Sequence, residues 1–541
     1  MTTLNKQNNQ SQNNPMTTKP EFENLEEYQN RRRKLDEISD LGIDPYPASF
    51  TPTHHACLLH KEYEGQTLGH SEDAAAGETP SVVVSGRLVL FRAMGKNAFA
   101  QLQDHTGRIQ VMFNRDQTMI SGYNPENPND SKPIKVIEKK FDLGDIIGVE
   151  GNLFFTQKGE LTIFAKEVTL LCKTLLPLAD KHSGLADKET RYRKRWLDLI
   201  THDDVRETFR KRSKILSMIR RYFEDQEFIE VETPVLQSIY GGAEARPFIT
   251  KLNALDQEMF MRISLEIPLK KLIVGGMDKV FEIGRVFRNE GIDRTHNPEF
   301  TLLEAYAAHW DYNDMMRTME NLVEKLALEL HGTTLLKARN SETGEEAEID
   351  VKAPWKRMTM KESIKHYADI DVDALSDEEL YKKVLDCGHL EAKKIKTFPR
   401  GLMISALFEH KVEPHLIQPH HITDFPIETT PLCKPHRDPA EREKGIVERF
   451  ESFIMGGEFC NAYTELNDPV IQYKLLEDQA ERKASGDEEA SPFDHEFVEA
   501  ICQGMPPTGG IGIGIDRLVM LLTHSSSIRD VLFFPWMKPT T

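Results

Sequence analysis

The sequence predicts an α+β protein, with a small β-barrel toward the N-terminus and a larger domain built on an antiparallel β-sheet flanked by helices. Three observations carry this. Residues 81–172 hold five short strand-like segments separated by turn residues. From residue 203 onward, helical and strand-like stretches mix without regular βαβ alternation, which favours an antiparallel sheet over a doubly wound one. The length, 541 residues, corresponds at roughly 100–200 residues per domain to about three domains.

Taken in order, residues 1–21 are a leader of mostly Asn, Gln, Thr and Lys without an apolar period, expected to be disordered. Residues 22–80 open with a helix. Phe22, Leu25, Tyr28, Leu35, Ile38 and Leu41 fall at helical spacing, and Gly42 and Pro45 stop it before a connector. Next, SVVVSGRLVLF, AFAQLQDHTGRIQVMF and DIIGVEGNLFFTQKGELTIFAKEVTLL alternate, with turns at Thr106-Gly107 and Lys158-Gly159. Five strands in about 90 residues suit a Greek-key barrel such as the OB-fold, spanning 81–175.

Strand period places Phe99, Gln101 and Gln103 on one face of that barrel, opposite Ala98, Ala100 and Leu102. Arg108 and Gln110 likewise oppose Ile109, Val111 and Phe113. One aromatic among amides and Arg suits single-stranded RNA, since the ring stacks a base while the amides read its edge. A plain solvated sheet face fits the same pattern equally well. Residues 176–202 form a charged linker, and 203–541 the second domain. Its first helix carries an apolar stripe at Val205, Phe209, Leu216, Ile219 and Phe223, followed by FIEVETPVL as a strand ending at Pro234. Residues 331–400 are a polar, Lys/Glu-rich insertion with no readable motif.

Composition narrows the function. With 39% hydrophobic and 29% charged residues the chain is of ordinary globular type. No stretch approaches the ~18 apolar residues of a membrane span, and the N-terminus lacks the charged and apolar regions of a signal peptide, so a cytoplasmic protein is expected. Six cysteines without a CxxC pair exclude a thiolate zinc cage and a disulfide framework. A net charge of −19 argues against a general nucleic-acid coat. RNA contact therefore needs local basic surface, for which Arg31 to Lys34 and Arg191 to Arg195 are the candidates; a solvated helix face is the plainer account of such runs.

Neither GxxxxGK[ST] nor GxGxxG is present, so side chains must hold any nucleotide phosphates. Three segments have the means. FIEVETPVLQSIYGGAEARPF (228–248) carries Gly241-Gly242, which permits close approach of backbone to a ligand. KVFEIGRVFRNEGIDRTHNPEFTLLEAY (279–306) reads as two strands joined by a loop with Arg288, Glu290, Arg294, His296 and Phe300. Its second strand puts Leu302, Glu304, Tyr306 and Ala308 on one face, so a carboxylate and a phenol point into the same space. PPTGGIGIGIDRLVMLL (506–522) is a Gly-rich strand running into a helix, with room for a flat ligand on which Arg517 can stack.

These three segments, in this order, resemble motifs 1, 2 and 3 of class II aminoacyl-tRNA synthetases. FRNEG…HNPEF and GIGIDR are similar to the lysine, aspartate and asparagine subgroup, which joins an anticodon-binding OB-fold to the catalytic domain. The resemblance covers residues 22 to 537 except the detail of 331–400. The segments CNAYTELNDP and RNEGIDRTHNPEFT resemble the lysine-specific members, and SLEIP stands where the aspartate and asparagine enzymes are expected to be Gln-rich. Two ammonium groups need buried carboxylate partners, and the chain offers Glu266, Glu304, Glu458 and Glu465.

The resemblance implies an AMP-forming ligase that joins L-lysine to the 3′ end of tRNA(Lys) with ATP and Mg²⁺, working as a homodimer. It implies that Arg288 and Arg517 are catalytic. With Asn289, Glu290, His296, Phe300 and Glu458 they would hold ATP, Phe300 and Arg517 sandwiching adenine. Gly242, Glu266, Glu304, Tyr306, Asn461, Tyr463 and Glu465 would bind lysine, Glu266 taking the α-ammonium and Tyr306 with Glu465 the ε-ammonium. Glu458 and Glu465 would hold Mg²⁺, which asks for a bulge, because in a strict strand Glu458 points away from Asn461, Tyr463 and Glu465. Phe99, Gln110 and Glu160 would meet the anticodon. Aspartyl- or asparaginyl-tRNA synthetase, and a synthetase-like protein lysyltransferase, are the alternatives; the latter lacks a barrel.

Overall fold

Alternating apolar and polar residues curl the first strands into a closed barrel. The computed structural model describes residues 20–125, 131–178, 185, 187–341, 343–487 and 489–539, and the chain divides into two units, Met1–Gly184 and Leu185–Thr541. Residues 1–19 of the expected leader lie outside the described residues.

In the first unit the barrel strands are β1 (Ser81–Met94), β2 (Asn97–Gln103), β3 (Arg108–Asn114), β4 (Ile146–Phe155) and β5 (Leu161–Cys172), with a two-residue strand, Met119–Ile120, paired to β5 as well. The barrel strands pair in the order β3-β2-β1-β4-β5, and a parallel β3–β5 pairing closes the barrel. Both expected turns are present. Asp104 accepts the Thr106 and Gly107 amides at the first, and Gly159 takes φ 80° at the second. Ala98, Ala100, Leu102, Ile109, Val111 and Phe113 fill the core, as alternation requires. The N-terminal helix spans Glu26–Asp40 and buries Ile38.

Both basic runs are divided: Arg32, Arg33 and Lys194 are exposed, as a solvated helix face requires, but other members are framework. Arg31 is buried and donates to Leu143 O and Thr174 Oγ1, while Lys34 pairs with Asp142 at 2.5 Å. In the second unit, buried Arg195 meets Asp198 at 2.5 Å and the carbonyls of Arg529 and Leu532, and Arg191 meets Asp198 at 2.7 Å. Residues 188–201, expected in a linker, accordingly form two short helices of that unit, Lys188–Arg193 and Arg195–Thr201.

The second unit is organised on one sheet made from β6 (Ile229–Glu230), β7 (Lys279–Phe287), β8 (Glu299–Ala308), β9 (Lys356–Thr359), β10 (His420–Pro426), β11 (Ile446–Ile454), β12 (Gly457–Thr464) and β13 (Thr508–Gly514). These eight strands lie in the order β9-β10-β11-β12-β13-β8-β7-β6, antiparallel except at the outer pairings β9–β10 and β7–β6. Leu303, Ala305, Ala307, Ile511 and Ile513 face one core with helices Asp203–Glu224, Tyr312–His331 and Ile515–Thr523. Tyr306, Ala308 and Tyr463 face the other, which includes helix Glu266–Val274 and carries the cavity described below.

Two expectations need correction. On helix Asp203–Glu224, Leu216 is only half-buried, and Arg212, Ile215 and Met218 take the deep positions beside Val205, Phe209, Ile219 and Phe223. FIEVETPVL contributes only Ile229–Glu230 to the sheet, because Leu236–Gln237 pairs in a separate three-stranded sheet. Within 331–400, where the sequence shows no motif, the described residues include a hairpin (Leu335–Arg339 with Glu346–Asp350), the edge strand β9, and helices Met360–Ala368 and Asp377–Asp386.

Candidate active site

The β7–β8 hairpin, β12 and β13 line a cavity of about 450 Å³ together with Gly242, Glu266 and Arg517, a size suited to small-molecule ligands. Along β8, strand period points Leu302, Glu304 and Tyr306 into it, as the sequence predicts, while Leu303 and Ala305 go to the helical core.

At one end the cavity is a carboxylate box. Glu304, Glu266 and Glu465 are all buried there. Glu304 is fully engaged by the chain: Oε1 accepts from Ser264 Oγ (2.8 Å) and Leu265 N (2.9 Å), and Oε2 from Tyr306 OH (2.8 Å). Burial, then Glu266, pushes its pKa up to about 7. It is therefore the holder of Tyr306 and of the turn at Ser264. Glu266 Oε1 accepts from Tyr463 OH at 2.7 Å and from the Lys270 ammonium at 2.5 Å. Lys270, which the sequence reading passed over, also pairs with Glu465 Oε2. Burial pushes the Glu465 carboxyl well above the usual range, and Lys270 opposes that shift. Glu465 Oε1 is buried without a hydrogen-bond partner. Gly242 (φ 85°) borders the box; a Cβ there would fall 2.7 Å from Ser264 Oγ and 3.0 Å from Glu266 Cβ.

The other end is cationic. Arg288 closes β7 and donates to Ile263 O at 3.3 Å, its guanidinium 5.2 Å from the centre of the Phe300 ring. Asn289 and Glu290 follow it as exposed loop residues. Arg517 donates to Glu458 O at 2.5 Å and lies 3.1 Å from His296 Nε2. His296 Nδ1 lies 2.8 Å from Asp293, a carboxyl that burial would raise but that hydrogen bonds from His296 and Thr295 hold at about 2. The adjacent Asp516 anchors this corner, pairing with Arg212 at 2.6 Å and accepting the Thr301 amide at 2.7 Å.

The expected bulge is present in β12. Ser452 pairs with Cys460 but Phe453 with Glu458, which leaves Phe459 unpaired and turns Glu458 toward the cavity. Glu451, seven residues earlier across the Gly456-Gly457 turn, is a further carboxylate beside Glu458; burial raises Glu451 to about 8, Arg449 lowers it and Glu458 raises it. Arg449 pairs with Glu451 at 2.6 Å and donates to Asn461 Oδ1 at 3.0 Å. Glu465 is held in the box by Lys270. The tight glycine turn between two glutamates was the signal for Glu451, and the i,i+4 spacing of Glu266 and Lys270 the signal for the internal ion pair.

In the barrel, Phe99 lies opposite Met112 and Gln101 opposite Gln110, so Phe99, Gln101, Gln103, Arg108 and Gln110 share one face. Gln110 donates to Thr162 Oγ1 (2.8 Å), and Thr162 Oγ1 to Glu160 O (3.1 Å), which links two of the three expected anticodon residues, Gln110 and Glu160, near the β4–β5 turn. The face is less polar than the sequence suggests. Phe99 is half-buried against Ala74, Met112, Phe154 and Phe164.

Comparison with known proteins agrees with this geometry. Residues 187–538 match the family described as tRNA synthetases class II (D, K and N), and residues 82–171 match the OB-fold nucleic acid binding domain. The chain belongs to the class II tRNA synthetases of that aspartate, lysine and asparagine group. Within it, the chain is 59% identical over 520 residues to the lysine–tRNA ligase of Chlamydia caviae, covering 96% of this chain and 98% of that one. The lysine–tRNA ligases of Chlamydia felis (58%; 97% and 99% covered) and Nostoc punctiforme (46%; 94% and 87% covered) are also similar.

Proposed function

We propose that this chain is a lysine–tRNA ligase, which activates lysine with ATP and transfers it to tRNA(Lys). The carboxylate box is the observation that carries this. Two buried carboxylates, Glu266 and Glu465, share one internal cation, Lys270, beside a third buried carboxyl, Glu304, which leaves a surplus of acidic groups over cations in the box. A diammonium substrate balances that surplus, whereas the side chain of aspartate would add to it. Tyr306, held by Glu304, and the free oxygen of Glu465 meet the ε-ammonium; the second oxygen of Glu266 meets the α-ammonium.

Arg288 stands at the junction of the two ends. It holds the lysine carboxylate and the α-phosphate while a carboxylate oxygen attacks the α-phosphorus in line and pyrophosphate leaves. A preset guanidinium needs no reorganisation as charge develops. Arg517 and His296 take the terminal phosphate, and the Phe300 ring supports adenine. Mg²⁺ fits beside Glu451 and Glu458, whose mutual repulsion a hard dication relieves; when bound it supplies charge neutralisation at the phosphates. A ribose hydroxyl of the tRNA end then attacks the carbonyl carbon and AMP leaves. The barrel face with Phe99, Gln110 and Glu160 receives the anticodon.

Exposed apolar residues in and directly after the first motif, Ile229 (52%), Leu236 (46%) and Ile249 (63%), support a symmetric dimer. Six unpaired cysteines fit a reducing cytoplasm, and no helix among the described residues is long and apolar enough to cross a membrane. Pyrophosphate exchange run in parallel with lysine, aspartate and asparagine tests the assignment: only lysine should support it, and exchange with aspartate or asparagine instead overturns it.

A further inference from the structure

Lys270 is the most deeply buried ammonium at the site, and the reaction as described leaves it idle. It lies in helix Glu266–Val274 with no exposed surface. Its Nζ stands 5.4 Å from the centre of the Tyr463 ring and 5.9 Å from that of Phe497, a setting in which an unpaired charge is not tolerated. The helix turn brings it to Glu266 Oε1, and the fold brings Glu465 Oε2 to its other side.

Each carboxylate is thereby divided in two. Glu266 Oε1 receives both Lys270 and the Tyr463 hydroxyl, and its Oε2 enters neither bond. Glu465 gives Oε2 to Lys270 and keeps a buried Oε1 without a partner. That Oε1 lies above Gly510, 1.9 Å from where a Cβ would stand, on the side of the Tyr306 ring. An ammonium entering the cavity finds the space between Glu266 and Glu465 already filled and meets each from its open side.

We propose that Lys270 is a positioning residue for substrate selection: by holding one oxygen of Glu266 and one of Glu465, it aims the other two at the α- and ε-ammonium groups of lysine. This rests on the cavity being the lysine site. The reason is electrostatic. Three carboxylates in one dry cavity relieve their repulsion by taking up protons, and a protonated carboxyl no longer prefers an ammonium to a neutral side chain. A fixed internal cation opposes that protonation from the back without competing at the front. Burial opposes the charge of Lys270 itself, but Glu266 and Glu465 outweigh burial and hold its pKa above the ordinary lysine range.

The test compares native protein with Lys270→Met and Lys270→Gln in lysine-dependent pyrophosphate exchange, from about pH 6.5 to about 9, with thermal melting alongside. In a folded variant at neutral pH, the lysine KM should rise about tenfold or more, while kcat and the ATP KM stay within about threefold. As the pH rises and the carboxyls reionise, the lysine KM should fall back toward the native value, a recovery that a purely structural role would not produce. An unchanged lysine KM, equal losses for lysine and ATP at every pH, or failure of both variants to fold (which would assign Lys270 to the framework) overturns the proposal. Absence of lysine-dependent exchange in the native protein would instead remove the reading of the cavity.

Discussion

Gly510→Ala adds one carbon at the point where the lysine pocket is tightest. Gly510 sits on β13 between Tyr306 of β8 and Tyr463 of β12, in register with both, so two large side chains flank a residue with none. That gap is where Glu465 lies. The added Cβ would stand 1.9 Å from Glu465 Oε1 and 2.6 Å from Tyr306 Cε1. Restoring an ordinary 3.4 Å contact requires Glu465 to move by about 1.5 Å (3.4 − 1.9 = 1.5). It cannot retreat freely, because Oε2 is tied to Lys270. Overpacking of this kind costs about 1–3 kcal/mol, and a displacement of about 1 Å at a reacting site costs as much as 10²-fold. The lysine KM in pyrophosphate exchange should therefore rise about 10- to 100-fold with the ATP KM within about threefold, since the phosphate end is untouched. A folded variant whose lysine KM stays within about twofold of native would refute the packing argument.

Arg288→Ala should lower the exchange kcat by about two orders of magnitude, as expected on removing a preset charge at the developing phosphoryl centre; a change of less than about tenfold places the α-phosphate elsewhere. Phe99→Ala should weaken tRNA charging about tenfold, one lost base stack, while lysine–ATP exchange stays near native; equal losses in both would mean a folding defect, and unchanged charging would move the anticodon off this face. Glu304 carries a pH signature. Burial first, then Glu266, raises its pKa to about 7. In the free protein the folded state thus binds a proton that the unfolded state releases near pH 4.5, so its contribution to stability is full below that and is lost as the pH rises to about 7. Glu304→Gln, which cannot ionise, should flatten the urea midpoint over that interval relative to native; parallel profiles would show that Glu304 does not titrate there.

What the sequence determined by itself is whatever follows from local period and turn chemistry. Alternation located the five barrel strands and sorted Ala98, Ala100 and Leu102 from Phe99, Gln101 and Gln103, because side chains of a strand can only go to one face or the other. The same rule put Glu304 and Tyr306 together two residues apart, and showed that Glu458 could share a face with Asn461 only through a bulge, which the register at Phe459 contains. Tertiary structure decided which charges pair. Arg31 and Arg195 read as solvated basic surface, yet both are buried, because the carbonyls that complete their bonding come from residues far along the chain. Glu451 comes close enough to feel the charge of Glu458, and Lys270 bridges carboxylates 199 residues apart (465 − 266 = 199), Glu266 and Glu465. Such pairings carry no period. A buried charge takes the partner that geometry supplies, and that geometry exists only once strands distant in sequence have become neighbours in the sheet.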